Sequence, residues 1–388
     1  MKKVLLRAPL LTNSGYGVHS RQVFEWLMTK KDIEVDVECL QWGNTPWMIS
    51  EKNDPLVSEI MKRSKALTPP YDVTFQLQLP DEWNKDLGKF NVGLSAYVET
   101  EKCNPVWVDK SNEMDMIVVP STFTKNVVKR SGLLVSDIHV IPEWFNENLD
   151  SKNTLEGISL DSIETDFNYL IISTLTSISP SDDRKNLINT IQWLYEKHKS
   201  DENIGIVLKT SLGRGSKKDL IDTQHYLEKL TNRLKSMYDS KIKLYLMHGN
   251  MTSQEIASLY KNSKIKCLVS ATRGEGYGLP LVDAAAAGMP IIATNWSGHL
   301  EFLRNYNFLP VDYEMKEISE TKIDNRIFLK NFRWAEPKKE SFFECIDTLK
   351  KDYVKIKNEA SISSAKIQES FCKQSIKIRY DKLFAEIF

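Results

Sequence analysis

The chain has 388 residues, 52 Lys plus Arg balanced by 52 Asp plus Glu, and 41% hydrophobic residues. That length favours two domains, each large enough for its own core. The charge balance, with no basic stripe or low-complexity tail, argues against a nucleic-acid-binding surface. No run reaches the roughly 20 apolar residues of a membrane span. Cys39, Cys103, Cys267, Cys345 and Cys372 show no paired spacing, the usage of reduced thiols in a cytoplasmic protein.

In chain order, Lys3–Ala8 reads as a buried strand, and Arg7 and Pro9 break the opening apolar run too early for a signal peptide. TNSGYG follows as a turn carrying Gly15 and Gly17, then an amphipathic helix over Val18–Thr29 and a strand over Ile33–Leu40. Further strands are expected at Val73–Gln78, Val92–Tyr97, Met116–Val119 and His139–Ile141, with a helix at Lys125–Ser131. The polar segment Asn148–Asp166 marks a domain boundary, giving a first domain over residues 1–165. A second α/β set follows over residues 166–372, with strands at Tyr169–Ser173, Ile204–Lys209, Ile242–Met247, Ile265–Ser270 and Ile291–Thr294. From Ser341 the chain reads as helical. The last stretch, residues 373–388, carries Ile376, Tyr380, Leu383, Phe384 and Ile387 as a stripe that needs a partner surface.

The most informative segment is RGEGYGLPLVDAAAAGMPIIAT, starting at Arg273. An apolar strand leads into a glycine-rich loop, a helix opens at Pro280 and stops at Gly288, and another strand follows. Proline suits a first helical turn, where its missing N–H is unpaired anyway, and glycine suits the left-handed position past the end. The amides of such a loop form an anion site, usually for phosphate. Glu275 and Asp283 flank it.

This segment resembles the E-x7-E donor motif of retaining glycosyltransferases of family 4. The resemblance implies the GT-B fold, an α/β architecture of two Rossmann-like parallel-sheet domains facing across a cleft, the donor held by the second. It implies that Glu275 meets the donor sugar, that Asp283 holds the ribose hydroxyls, and that Gly276, Tyr277, Gly278 and Leu279 line the diphosphate. Asp283 departs from the family's usual Glu. It also implies that residues 373–388 form a terminal helix crossing back onto the first domain.

Other stretches are similar to the same family. Asp183-Arg184-Lys185-Asn186 is similar to its R-K-N, which makes Lys185 a diphosphate cation. Ser179 stands where many relatives have arginine, so that arginine's role is either missing or taken by Arg184. Lys209 ends a strand near the same crevice and is a second candidate cation or a surface lysine. Gly15 and Gly17 correspond to the first-domain loop that closes over donor phosphate and acceptor; His19 and Arg21 lie near. The stretch from Ala96 ends in Val119-Pro120-Ser121, as in the family, but lacks the histidine that several relatives use to touch the sugar. Glu99, Thr100 and Glu101 stand there instead, and Glu99 is the preferred acceptor contact. Glu301 either caps a helix or binds nucleotide.

The expected function is therefore retaining transfer of a hexose-type sugar from a nucleotide-diphospho-sugar to a glycan or to a lipid-linked or protein-linked hydroxyl. No cofactor is expected, and metal independence is implied. A non-catalytic sugar-nucleotide or glycan binder on the same fold is the alternative. A dinucleotide oxidoreductase ranks last, because Gly15 and Gly17 lack the third glycine of that fingerprint. The expected location is cytoplasmic, or peripheral to a membrane.

Overall fold

The computed structural model describes residues 1–48, 54–150 and 158–388. Of the expected boundary segment, residues 151–157 lie outside that range. The first sheet contains β1 (Lys2–Ala8), β2 (Ile33–Cys39), β3 (Tyr71–Leu77), β4 (Gly88–Leu94), β5 (Met116–Val119) and β6 (Asp137–Val140). Its order is β2-β1-β3-β4-β5-β6, parallel throughout. With it go α1 (Gly15–Leu27), α2 (Pro55–Arg63), α3 (Pro105–Ser111) and α4 (Thr122–Ser131).

The second sheet contains β7 (Phe167–Ile172), β8 (Ile204–Lys209), β9 (Lys243–Met247), β10 (Ile265–Ser270), β11 (Ile291–Thr294) and β12 (Leu309–Val311). Its order is β12-β11-β10-β7-β8-β9, also parallel. Its helices are α5 (Leu187–Lys197), α6 (Lys217–Tyr238), α7 (Ser253–Lys261), α8 (Leu279–Ala286) and α9 (Leu300–Leu303). An antiparallel pair, β13 (Tyr313–Glu317) and β14 (Arg333–Pro337), precedes α10 (Lys339–Lys351), α11 (Tyr353–Ser370) and α12 (Lys373–Leu383).

The central strands are buried along most of their length, polar positions such as Thr74, Gln76 and Asn168 included, as in parallel sheets covered on both faces. In the second sheet the chain runs from β7 to β9 on one side and from β10 to β12 on the other. The loops after β7 and β10 therefore part at the carboxyl edge, and such a switch point leaves a crevice for ligands.

Two local expectations are corrected. Gly15 and Gly17 lie in the first turn of α1, not in a turn before it. Ser14 starts the helix early because its Oγ accepts the Gly17 N–H at 2.9 Å. A Cβ on residue 17 would lie 2.0 Å from the Thr12 carbonyl oxygen, so only glycine fits there. Second, β4 ends at Leu94, and Ser95–Tyr97 turns away from the sheet, with Tyr97 at φ +54°.

The halves are joined at two further places. In α12, Ile376, Tyr380 and Phe384 are buried. Tyr380 stacks on Trp26 of α1 at 4.8 Å, and Trp26 Nε1 donates to Asp381 at 2.8 Å. On another side, Phe328, Phe332 and Trp334 share one apolar cluster with Trp83, Tyr97 and Trp107 of the first half. Among the described residues no helix is long and apolar enough to cross a membrane.

Candidate active site

The loop between β10 and α8 is built to leave donors free. Gly278, at φ +100°, is the N-cap of α8 and offers no side chain to its amides. The N–H groups of Gly276, Tyr277, Gly278 and Leu279 have no acceptor among the described residues. Leu279 starts the helix and Pro280 follows, one place later than expected. Gly288, at φ +63°, closes it. Unpaired amides at a helix start carry partial positive charge and favour an anion.

The loop after β7 supplies cations to the same spot. Asp183 is fully buried; its carboxylate accepts the Leu187 N–H at 2.7 Å and the Lys185 N–H at 3.2 Å, fixing the turn into α5. Lys185 Nζ then donates to both carboxylate oxygens of Glu275, each at 2.7 Å. Arg184 lies between two acids, 3.3 Å from Glu99 and 3.7 Å from Glu275. Burial raises the Glu275 pKa, but Lys185 and Arg184 outweigh it, and the carboxyl is held below its usual range. Burial likewise opposes the charge on Arg184, and Glu99 with Glu275 more than restores it.

Arg273 locks these two loops together, and sequence reasoning missed it. It is 2% exposed, donates to the Pro180 and Asp183 carbonyls at 2.7 Å each, and pairs with Glu336 of β14 through two 2.7 Å bonds. An arginine beside the glycine loop has no spacing that announces such partners.

The first half closes on this loop. Ser121 Oγ donates to the Gly276 carbonyl at 2.8 Å, and Thr122 N–H donates to Glu301 at 2.7 Å, so Glu301 caps α4 across the crevice. A Cβ on Gly276 would meet Ala96 at 2.7 Å, and one on Gly274 would meet the Glu99 carbonyl at 2.7 Å. Gly15 faces Leu279, which a Cβ would reach at 4.0 Å.

Several sequence candidates are engaged elsewhere. The Gly17 amide is taken by Ser14 rather than offered to a ligand. Lys209 donates to the Gly249 carbonyl, and burial lowers its pKa. The Tyr277 hydroxyl donates to the Glu143 carbonyl at 2.7 Å. His19 is buried, with Nε2 3.3 Å from the Tyr380 hydroxyl, and Arg21 holds the Leu10 and Thr12 carbonyls. Ser179 bonds within its own loop, to Ser177 and Ser181.

Asp283 lies one turn into α8 and is 9% exposed. Its Oδ1 accepts the Asn146 N–H at 2.8 Å. Burial pushes its carboxyl up to about 7, an effect the Asn146 amide only moderates. Glu143, also missed from the sequence, is buried beside it; burial first and Asp283 second push it up to about 8. Among the described residues no group of three or more His, Cys, Asp or Glu side chains is placed to hold a metal ion.

The sequence model of glycosyl transferases group 1 matches residues 229–324, a minority of the chain that includes Glu275 and Asp283. No curated protein matches the sequence. Among solved structures the chain is similar to sucrose-phosphate synthase from Thermosynechococcus elongatus, at 14% identity and TM-score 0.66, covering 100% of this chain and 99% of that one. It is also similar to Anabaena HepE, solved with UDP and glucose, at 13% identity and TM-score 0.61, with 100% of both chains covered. A trehalose-6-phosphate synthase, studied for glycosyl transfer with retention, matches at 10% identity and TM-score 0.62 over 100% of both chains. The chain has the GT-B fold: two Rossmann-like domains, each with a parallel six-stranded sheet among the described residues.

Proposed function

We propose that the protein is a glycosyltransferase that takes a sugar from a nucleotide-diphospho-sugar and passes it, with retained configuration, to an acceptor hydroxyl. The observation that carries this reading is the run of four amides, Gly276 to Leu279, unpaired among the described residues, beside Lys185 and Arg184 at the switch point of the second sheet. Amides and cations of this kind suit a leaving diphosphate, whose charge grows in the transition state. The group 1 match and the UDP-bound HepE neighbour support a nucleotide donor.

In this reading Lys185 and Arg184 turn from the carboxylates toward the diphosphate. Glu275, freed of part of its pairing, lies along the sugar and stabilises positive charge at its anomeric carbon. The bond from that carbon to the diphosphate breaks and one to the acceptor oxygen forms on the same face. The acceptor proton passes to the departing phosphate oxygen. Glu99 borders the acceptor side, and the acceptor is a glycan or a lipid-linked or protein-linked hydroxyl. The protein's residues carry the chemistry without a metal, so added chelator leaves turnover unchanged.

The test is a panel of UDP-, GDP- and ADP-sugars read by thermal shift. An excess of a hundredfold over the dissociation constant adds about 2.7 kcal/mol of stability. Stabilising donors are then assayed for nucleotide release with saccharide acceptors, and the product's anomeric configuration is read by NMR. Absence of any stabilising donor overturns the reading. Binding without acceptor-dependent release identifies a sugar-nucleotide binder instead.

A further inference from the structure

Lys185 and Arg184 hold the side chain of Glu275, but its main chain is held by the turn after β11. Ser297 Oγ accepts the Glu275 N–H at 2.9 Å, and the Gly298 N–H donates to the Glu275 carbonyl at 2.8 Å. The approach is close, since a Cβ on Gly298 would lie 2.0 Å from the Gly276 carbonyl oxygen. Ser297 is buried, so its hydroxyl must find partners within the protein, and the second one is His299. The Thr294 carbonyl can only accept, so His299 Nε2, 2.7 Å from it, carries a proton and donates. Burial disfavours the imidazolium, which leaves Nδ1 bare and able to accept. Ser297 Oγ lies 3.4 Å from Nδ1 and is its donor. Each bond thus has one direction: Ser297 turns its proton toward His299 and a lone pair toward the Glu275 amide.

Ser297 does this from a strained backbone. Its φ is +93°, a conformation that residues with a Cβ rarely adopt and that glycine adopts freely. Such strain persists only where the surroundings over-determine it, and it gathers at sites with a task. A turn alone would be served by glycine. What serine adds is the hydroxyl, and its bond goes to the residue whose carboxylate the proposed function sets beside the sugar. In that reaction Lys185 and Arg184 turn toward the diphosphate. The Glu275 side chain then loses the partners that fix it in the unliganded protein, and the main-chain clasp is what aims it.

We propose that Ser297 is a positioning residue: its hydroxyl, oriented by His299, fixes the Glu275 main chain so that the carboxylate stands at the anomeric carbon once the cations have moved. This rests on the nucleotide-sugar reading above, with Glu275 beside the sugar.

Ser297→Gly and Ser297→Ala, compared in steady-state kinetics and thermal melts, test this. Both remove the hydroxyl, and only Ala keeps a Cβ in the strained conformation. The donor is whichever of the UDP-, GDP- and ADP-sugars stabilises and is turned over by wild type. Its kcat should fall about tenfold or more in both variants, the scale on which a misplaced reacting group slows a step. Donor KM should change by about twofold at most, since the loop amides and the cations are untouched. Gly should melt above Ala, because it relieves the strain that Ala keeps. Matched losses of kcat at different melting temperatures support the proposal. A Gly variant that turns over like wild type shows that the hydroxyl serves the fold alone, and overturns the proposal while leaving the nucleotide-sugar reading in place. A change confined to donor KM assigns Ser297 to binding and overturns it as well. If Ala fails to fold, the kcat of the Gly variant decides. Wild type that turns over no donor of the panel overturns both.

Discussion

Glu275 and Asp283 are 8% and 9% exposed, and their surroundings treat them in opposite ways. Glu275 has an ammonium at 2.7 Å and a guanidinium at 3.7 Å, and it stays charged. Asp283 has one backbone amide and a second acid for company, and it is driven toward its neutral form. Burial is common to both, so the companion charge decides. A fixed negative charge suits the reacting sugar. A carboxyl near neutrality suits hydroxyl recognition, which needs acceptors and no net field.

The sharpest way to break this contrast is Glu275→Gln. In the proposed function transfer at saturating donor should fall by roughly 10² or more, because that reading aims the Glu275 charge at the reacting carbon where water is excluded. Nucleotide affinity should persist, since amides and cations remain. Wild-type turnover in steady-state kinetics would remove Glu275 from the sugar.

Deleting residues 373–388 comes next. It removes the buried side chains Ile376, Tyr380 and Phe384, the last two packed on Trp26 of α1, and such side chains contribute about 1.5–3 kcal/mol each when buried. That is a large share of a typical 5–15 kcal/mol stability. Burial also seals the neighbourhood of Glu143, whose charge acts on Tyr380, so the deletion should wet the acid pair as well. Calorimetry showing an unchanged melting temperature would contradict this packing account.

Asp283→Asn should be milder. If Asp283 holds the ribose as the resemblance implies, the change weakens contacts made in ground and transition states alike, so donor KM should rise about tenfold while kcat falls less.

The smallest effect is in pH. The folded-state values of Asp283 and Glu143 are raised from 3.8 to about 7 and from 4.5 to about 8. Between the unfolded and folded values the native chain holds protons that the unfolded chain has released, so stability falls as pH rises. The contribution is complete below about pH 4 and is lost as pH climbs through 7 and 8. Glu275 has the reverse sign: its contribution is present above its unfolded value and is lost as pH falls through its lowered one. Melting temperatures from pH 5 to 9 should therefore decline in wild type and decline less in Asp283→Asn. Equal slopes would show that Asp283 carries no excess proton.

The strands that form the middle of each sheet were legible because they are short, β-branched- and aromatic-rich stretches such as VLLRA, IGIVLK and IIAT bounded by turn residues. Strands β12, β13 and β14 were not. Leu309–Val311 holds a proline in three residues, and the hairpin sequences YEMKE and RWAEP are charged, so neither shows a strand period. The glycine loop and Glu275 stood out through local spacing and Lys185 through its likeness to a family motif, and the structure brings Glu275, Lys185, Arg184 and Glu99 together. Lys209 illustrates the limit, since position at a strand end does not say which carbonyl a long side chain will reach. Glu143 and Arg273 left no signal because their partners are distant in sequence: Asp283 for one, Pro180 and Glu336 for the other.

The segment carrying Phe328, Phe332 and Trp334 has a consequence for how this protein can be divided. Those rings come from the second half of the chain and finish a cluster that Trp83, Tyr97 and Trp107 begin in the first. With α12 docked on Trp26, the first half takes core from the second half of the chain at two separate places. The halves are thus poor candidates for modular exchange. A chimera joining the second half to a foreign first half would need both borrowed surfaces rebuilt, and a split pair of fragments should assemble as mutual obligates.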